Sequence, residues 1–567
     1  MVEMSGSKAF VEGLKRENVD MIFGVTGGAV LPICDELWGS DLRFIMARHE
    51  QGAAHMADGY ARALGRVGVC LATSGPGATN LVTGIATANI DSAPVVAFTG
   101  QVPLRLVGTD AFQEVDIIGI TASATKYNIQ VRSPSEIPSA IKSAFHIAST
   151  GRQGAVLVDI PKDCQINIED IEFPDEVSFR GYNVNLEPNP REMDWAATLL
   201  SKARRPVIMA GGGVIASNAS PEVIKIADML MAPVVTSLMG KGSVPSDHPL
   251  FAGLCGMHGT GEANLLVSDA DVLLVVGARF SDRTTARLED FSRGAKVIHI
   301  DIDRSEVDKN VETVTRVIGD AKIALQGIIE RLGKLSYEPR ANGDWIKKME
   351  KFKEQYAPPE LSDNPHIRAP AIMRALRKVL PRDALVTTEV GQNQMWAAQF
   401  YHYSIPRQLI SSGGLGTMGF GLPAAIGAQI AKPDMTVIDI DGDHSFNMTL
   451  TELPTAAEHN LPIKVCILNN GYMGMVRQWQ ELFYGRRYSK SYLSNPDYAT
   501  VARALGAVGK TCDKKADVPK VIKAMLAEKR PCVVDFRIER EENVWPMVAA
   551  GKSLNEMDGL DILERLI

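Results

Sequence analysis

The chain has 567 residues, 45% of them hydrophobic and 22% charged, and a formal net charge of -7. This is the balance of an ordinary soluble globular protein of three or four domains, and its acidic sign, with no basic tract, argues against a nucleic-acid partner. Seven cysteines (Cys34, Cys70, Cys164, Cys255, Cys466, Cys512, Cys532) lie scattered without a CxxC pair, the pattern of free, mostly buried thiols in a reducing cytoplasm.

The first residues, MVEMSGSKAFVEGL, read as an amphipathic helix, without the basic start and apolar core of a signal peptide. No apolar run approaches the ~18–20 residues of a membrane span, so no membrane partner and a cytoplasmic location are expected. RHEQGAAHMADGYAR (48–62) places Glu50 at the opening of an apolar helix. Short Val/Ile-rich runs follow: VGVCLATS (67–74), APVVAFTG (93–100) and GAVLVDIP (154–161). A second group is RPVIMAGGG (205–213), APVVTS (232–237), DVLLVVGAR (271–279) and KVIHIDID (296–303). A third is DALVTTEVG (383–391), TVIDIDGD (436–443), IKVCILNN (463–470) and PCVVDFRI (531–538). Continuous apolar strands separated by helix-length stretches predict α/β architecture, with doubly wound parallel sheets covered on both faces. Polar, breaker-rich linkers at 174–191 and 336–369 divide the chain into three domains, 1–185, 186–360 and 361–567, the last with a C-terminal tail.

In open parallel sheets, ligands bind beyond the carboxyl ends of strands. There this sequence sets SGPGATN, the glycines 211–213, GDHS and NNGY. Asp443 offers a carboxylate and Asn470 an amide oxygen, hard donors that suit Mg²⁺ shared with a phosphate. Gly442 lets backbone approach closely, and Ser445 opens a predicted helix, SFNMTLTELPTAAEH, whose first N–H groups favour phosphate. Either half alone is an N-cap or an ordinary turn; together, after two strands, they point to a metal-held diphosphate.

GDH-x24-NN resembles the thiamine-diphosphate motif, in which Asp443, Asn470 and the main-chain oxygen of Tyr472 would bind Mg²⁺. His444 stands where that motif has glycine. The HEQGAAHMADGYAR string resembles the family's glutamate segment, which implies that Glu50 promotes the imino tautomer of the cofactor's aminopyrimidine. SSGGLGTMGFGLPAAIGA (411–428) resembles the segment carrying the apolar wedge, here Met418, that bends the cofactor. GQNQMW (391–396) is similar to a diphosphate-cradling GQHQMW, with Gly391, Gln392 and Asn393, the last in place of histidine.

The strings TGQVP, GTDAFQE, GMHGT, GARFSDR, FNMTLTEL and GMVRQWQ, in this order, make the resemblance closest to the acetohydroxyacid (acetolactate) synthase catalytic subunits. It implies a pyrimidine-binding domain, a middle Rossmann-like domain and a diphosphate-binding domain, in a homodimer or dimer of dimers whose sites join Glu50 of one chain to Asp443 of another. It implies decarboxylation of pyruvate and transfer of the acetaldehyde unit to a second pyruvate or to 2-ketobutyrate, in branched-chain amino acid biosynthesis. Arg283 would grip the acceptor carboxylate and Trp479 would wall its alkyl group. Phe112, Gln113 and Lys162 would line the site, and Gly27 and Gly28 would supply a backbone loop near a developing oxyanion. Arg152, Gly211, Gly212, His258, Arg279, Asp301 and Asp320 match positions that contact a structural FAD. A separate small regulatory subunit is a further expectation. A pyruvate oxidase would share both cofactors but lack the Arg283–Trp479 pair. A catabolic relative would lack flavin. A dinucleotide-binding dehydrogenase, read from the glycines 211–213 alone, would leave Glu50, Met418 and the Asp443–Asn470 pair unexplained.

Overall fold

The computed structural model describes residues 1–184, 186–335, 343–357 and 365–560. The predicted boundaries at 185 and 360 both lie outside the described residues. Three six-stranded sheets organise the chain, and every pairing within them is parallel. The first runs, in space, Arg43–Met46, Met21–Gly24, Gly68–Ala72, Val95–Gln101, Ala155–Pro161, Tyr127–Gln130. The third repeats the same plan with Leu409–Ser411, Leu385–Thr388, Val437–Gly442, Lys464–Asn469, Cys532–Arg537, Val508–Cys512. In chain order both are 2-1-3-4-6-5. The middle sheet is Phe251–Leu254, Val234–Thr236, Pro206–Ala210, Val272–Val276, Lys296–Asp301, Thr315–Ile318, which is 3-2-1-4-5-6, the order of dinucleotide-binding folds.

The central strands are buried on both faces. Val207, Ile208, Met209, Leu273, Leu274 and Val275 are fully enclosed, as are Val465, Cys466 and Ile467. Each such side chain contributes about 1.5–3 kcal/mol relative to exposure, and the parallel ladders satisfy the backbone groups buried with them. No helix among the described residues is long and apolar enough to cross a membrane.

Five helices matter for the site: α1 (Glu50–Leu64), α2 (Asp282–Thr285), α3 (Gly421–Ala431), α4 (Asp443–Thr449) and α5 (Gly474–Phe483). Helices α1 and α3 join the first unit to the third at backbone contact. A Cβ on Gly427 would lie 1.9 Å from the Met56 carbonyl oxygen, and one on Gly59 would lie 2.2 Å from that of Ala424. Only glycine permits this approach. After Trp545 the chain crosses to the middle unit, where Met547–Val548 pairs antiparallel with Met557–Asp558. Val548 N–H donates to the Met257 carbonyl, and Arg287 donates to the carbonyls of Gly551 and Lys552.

Two local expectations need correction. Val2–Ser5 is a strand, paired antiparallel with Ile168–Ile171, and the helix begins only at Gly6 because Ser5 caps it, accepting from Lys8 N–H. The predicted helix after Gly442 is broken into α4, a 3₁₀ turn Leu450–Glu452 and a short helix Leu453–Glu458. Pro454 stands in the first turn of that last piece, where its missing N–H costs nothing, and it ends the preceding run.

Candidate functional site

The strand order of the third sheet reverses between Leu385–Thr388 and Val437–Gly442, and a half-open cleft lies beyond their carboxyl ends. It is lined by Gly391, Gln392, Asn393, Met418, Gly442, Asp443, His444, Ser445, Asn470 and Tyr472, so every residue predicted to hold a diphosphate or a metal meets there. Asp443 is buried and accepts from His444 N–H (2.9 Å), Gly471 N–H (2.8 Å) and Asn495 Nδ2 (2.8 Å). Burial pushes its carboxyl up to about 6 against the opposing pull of those donors. Asn495 and Tyr498, whose hydroxyl donates to the Asp443 carbonyl at 2.8 Å, were not singled out from sequence. Asn495 lies in an irregular stretch, and Tyr498 opens the short helix Tyr498–Ala504 that Asp497 caps; turn and cap chemistry is the only signal of SNPDY.

The donors fit a hard cation: one carboxylate, one amide oxygen and one main-chain carbonyl. Among the described residues no cluster of three His, Cys, Asp or Glu side chains could hold a metal by itself. A cation here would therefore complete its shell with water and phosphate oxygens, the habit of Mg²⁺.

Gln392 departs from expectation. Its Nε2 donates to Gln478 Oε1 and the Glu542 carbonyl, both at 2.9 Å, and its Oε1 accepts from Asn470 Nδ2 at 3.1 Å. The side chain is thus spent on orienting Asn470 and tying α5 to the C-terminal segment, leaving its backbone at the helix start to face a diphosphate. Asn393 donates to the Ile440 carbonyl and turns its oxygen toward Gly442. Beneath the cleft Glu389, Asp439 and Asp441 are fully buried together. Burial first, and mutual repulsion second, raises both aspartates, and burial raises Glu389 to about 7.

No residue of the first unit lines this cleft. Glu50 instead opens α1 at the carboxyl edge of its own sheet, where Asn80 Nδ2 donates to it at 2.9 Å. A Cβ on Gly77 would stand 3.3 Å from its Oε1, one on Gly27 2.5 Å from Thr73, and one on Gly75 2.8 Å from the Gln113 carbonyl. Gly27, Gln113 and Glu50 therefore share one rim, with Gly28 exposed beside it and Lys162 beginning the short helix after Ala155–Pro161. Within one chain this rim is open: Glu50 is half-buried, and Phe112 is 89% exposed.

A cavity of about 950 Å³ lies among all three units. Arg283, in α2, and Trp479, in α5, face each other across one end of it, the guanidinium carbon 5.8 Å from the ring centroid. Arg283 Nη1 lies 3.1 Å from the sulfur of Met257. The buried indole N–H of Trp479 has no partner among the described residues. Met257, Met547 and Ala549 complete an apolar floor with Trp545. Val390, Gly391 and Met475 line both this cavity and the Asp443 cleft, so the two adjoin.

The rest of the cavity gathers Arg152, Gly212, His258, Arg279, Asp301 and Asp320. Gly211 does not line it. Its role is close packing, since a Cβ there would sit 2.1 Å from the Gly277 carbonyl oxygen. Several of these groups are partly engaged. Arg152 pairs with Asp303 and Glu306, Asp301 accepts from Asp303 N–H, and Asp320 caps the helix Ala321–Lys334. His258 is held neutral by burial, which lowers it to about 4, and its Nδ1 has no partner among the described residues. A cavity of this volume at the switch point of a 3-2-1-4-5-6 sheet, with Arg152, Arg279 and an orphaned imidazole nitrogen in its lining, fits an anionic dinucleotide.

Three family models of thiamine pyrophosphate enzymes match the chain: the N-terminal TPP binding domain over residues 4–120, the central domain over 193–328, and the C-terminal TPP binding domain over 389–536. The chain is 45% identical over 564 residues to a probable acetolactate synthase large subunit of Methanocaldococcus jannaschii, covering 98% of this chain and 95% of that protein. It is 45% identical over 563 residues to the acetolactate synthase large subunit of Corynebacterium glutamicum (98% and 90%). It is 44% identical over 574 residues to the acetolactate synthase of Arthrospira platensis (98% of each).

Proposed function

The chain belongs to the thiamine pyrophosphate enzymes and, within them, to the acetolactate synthase large subunits, and from that premise we propose how its residues divide the reaction. The observation that carries the proposal is the Arg283–Trp479 pair, 5.8 Å apart where the large cavity adjoins the Asp443 cleft. Bound thiamine diphosphate supplies the nucleophilic carbon and the electron sink for 2-ketoacid decarboxylation and carbon–carbon bond formation. Asp443, the Asn470 amide oxygen and the Tyr472 carbonyl would hold Mg²⁺ and, through it, the diphosphate, and Gln392 fixes the Asn470 amide.

The Glu50 carboxyl would hold the proton shared with the cofactor's pyrimidine ring nitrogen. Because its rim is open within one chain and the Asp443 cleft contains no first-unit residue, the proposed partner of Glu50 is the cleft of a second copy. That contact would also enclose Glu50 and cover Phe112. Gly27 and Gly28 then present backbone N–H groups to a developing oxyanion, where such donors act most strongly. Gln113 stands on the same rim, and Lys162 follows the strand Ala155–Pro161 at the carboxyl edge of the same sheet.

Arg283 holds the carboxylate of the second 2-ketoacid through paired N–H groups, which aims its carbonyl and keeps the carboxylate away from the site of decarboxylation. Trp479 walls the alkyl group, and its unpartnered N–H remains available to an acceptor oxygen. This geometry accepts pyruvate or 2-ketobutyrate. Mg²⁺ and FAD are part of the proposal, FAD in the large cavity in a structural role, since the carboligation has no net redox change. A homodimer or dimer of dimers, a separate small subunit and a cytoplasmic location complete it.

The test is direct. The purified chain is given thiamine diphosphate, Mg²⁺, FAD and labelled pyruvate, with and without 2-ketobutyrate. The proposal requires 2-acetolactate and 2-aceto-2-hydroxybutyrate with one CO₂ per product, and a flavin spectrum that does not bleach during turnover. Release of CO₂ with reduction of an added electron acceptor and no carboligation product would instead mark an oxidase.

A further inference from the structure

The loop 412–420, which carries Met418 between the strand Leu409–Ser411 and α3, lies in the third unit but is gripped from the first. Asp91, fully buried, accepts from Gly413 N–H at 3.0 Å and Gly414 N–H at 2.6 Å. Arg62, in α1, donates to the Ser411 carbonyl at 2.8 Å and to Asp91 at 3.2 Å, and forks onto Asp58 at 2.5 and 3.2 Å. Thr87 and Thr417 share a hydrogen bond of 2.6 Å between their hydroxyls. On the far side of Met418, Glu389 accepts from the N–H groups of Gly419, Phe420 and Gly421. Two carboxylates from different units thus staple the loop on either side of its one large projecting side chain.

Asp91 borders the large cavity, yet both its oxygens are already engaged by Gly413, Gly414 and Arg62. Three of the roughly four acceptor positions of its carboxylate are thus taken by the loop and by Arg62, so its main work is to hold. The loop itself needs holding: Gly413, Gly414, Gly416 and Gly419 leave it little intrinsic preference, and Gly416 and Gly419 sit at positive φ. Ordering such a backbone costs roughly 1–2 kcal/mol per residue. Charge-assisted hydrogen bonds in a buried site are of a size to offset that.

We propose that Asp91, braced by Arg62 and assisted by Thr87, is a positioning residue that sets the height of Met418 in the cofactor cleft, so that the first unit of a chain pre-organises that chain's own diphosphate site. The inference rests on the proposed cofactor reading for the meaning of Met418, but not for the staple itself. It also gives α1 two duties: Glu50 at its first residue, on the open rim, and Arg62 near its last, on the chain's own loop.

The test is Asp91→Asn, which keeps shape but removes the charge and turns an N–H₂ group toward donors. In the unloaded protein, hydrogen exchange of the 409–421 peptide rises by about tenfold while peptides of α1 and α3 keep wild-type rates. Thiamine diphosphate affinity, read by calorimetry at saturating Mg²⁺, falls by about tenfold, and kcat falls while the KM for pyruvate stays within about twofold. Unchanged exchange in 409–421 overturns the proposal, as does a rise spread evenly over α1 and α3, or unchanged affinity and kcat. If Asp91→Asn does not fold, Thr87→Val is read by the same measures and the same outcomes. Failure of the wild-type protein to bind thiamine diphosphate at all would refute the cofactor reading instead, and the exchange data distinguish the two.

Discussion

Asp443 and Trp479 show what single residues decide here. Asp443 is the one carboxylate among the proposed metal donors, so Asp443→Ala removes charge and ligand together. Mg²⁺ affinity and diphosphate affinity should fall in parallel, which a titration of cofactor binding at limiting Mg²⁺ reads; normal affinity there would exclude it as a ligand. Trp479 bears on selection. Trp479→Leu should preserve pyruvate decarboxylation but erode the preference for 2-ketobutyrate by about the worth of one methylene, ~1–3 kcal/mol. The product ratio in a two-acceptor competition reports this. Arg283 and Trp479 were recognisable only through the strings GARFSDR and GMVRQWQ; no spacing rule links residues so far apart, and the fold brings them to 5.8 Å. Asp91 carried no such signal, because an aspartate after a helix reads as a cap until the loop it holds is seen.

At the scale of elements, α1 and α5 are the parts under most constraint. His55, in α1, is wholly buried edge-on to Phe420, and burial first, then the nearby Arg62 charge, lowers it to about 3. Its folded value lies below its unfolded one near 6.5, so the unfolded chain takes up the proton first as pH falls. The associated stability is complete above about pH 6.5 and is lost on descending toward the folded value. His55→Gln should therefore lose about 2 kcal/mol less than wild type between pH 6.5 and 5, measured by urea unfolding at both. In α5, Gln478 receives Gln392 and Val544 N–H and donates to the Val544 carbonyl. Gln478→Leu strands those groups, and about 1–3 kcal/mol of stability should go with them. Element type was legible where a long, continuous apolar run marks a central strand, as in Val272–Val276 and Lys464–Asn469. Within the six-stranded sheets, Arg43–Met46, Tyr127–Gln130, Phe251–Leu254, Thr315–Ile318, Leu409–Ser411 and Val508–Cys512 escaped the reading, and each is the edge of its sheet; Met21–Gly24 escaped it too, an interior strand of only four residues. An edge strand such as YNIQ or VGKTC need not be a continuous apolar run, so the pattern that announces a central strand is missing.

Across the whole molecule, the first and third units repeat one strand order, and α1 and α3 join them at backbone contact. The repeat itself could not be seen in the sequence, since it resides in spatial order rather than in residue identity. Among the described residues the Asp443 cleft of the third unit has no lining residue from the first, and the Glu50 rim of the first is open within one chain. The proposed active site forms when two chains bring this cleft and this rim together, and subunit mixing tests that. Protomers carrying Glu50→Gln are mixed with protomers carrying Asp443→Ala, both inactive alone, and acetolactate formation is followed after subunit exchange. A site shared between chains leaves one of the two sites of each mixed dimer intact, so activity should return to about one quarter of wild type at equal mixing. Continued inactivity of mixtures shown to contain mixed dimers would mean that Glu50 and Asp443 do not act in one shared site, and would contradict the account.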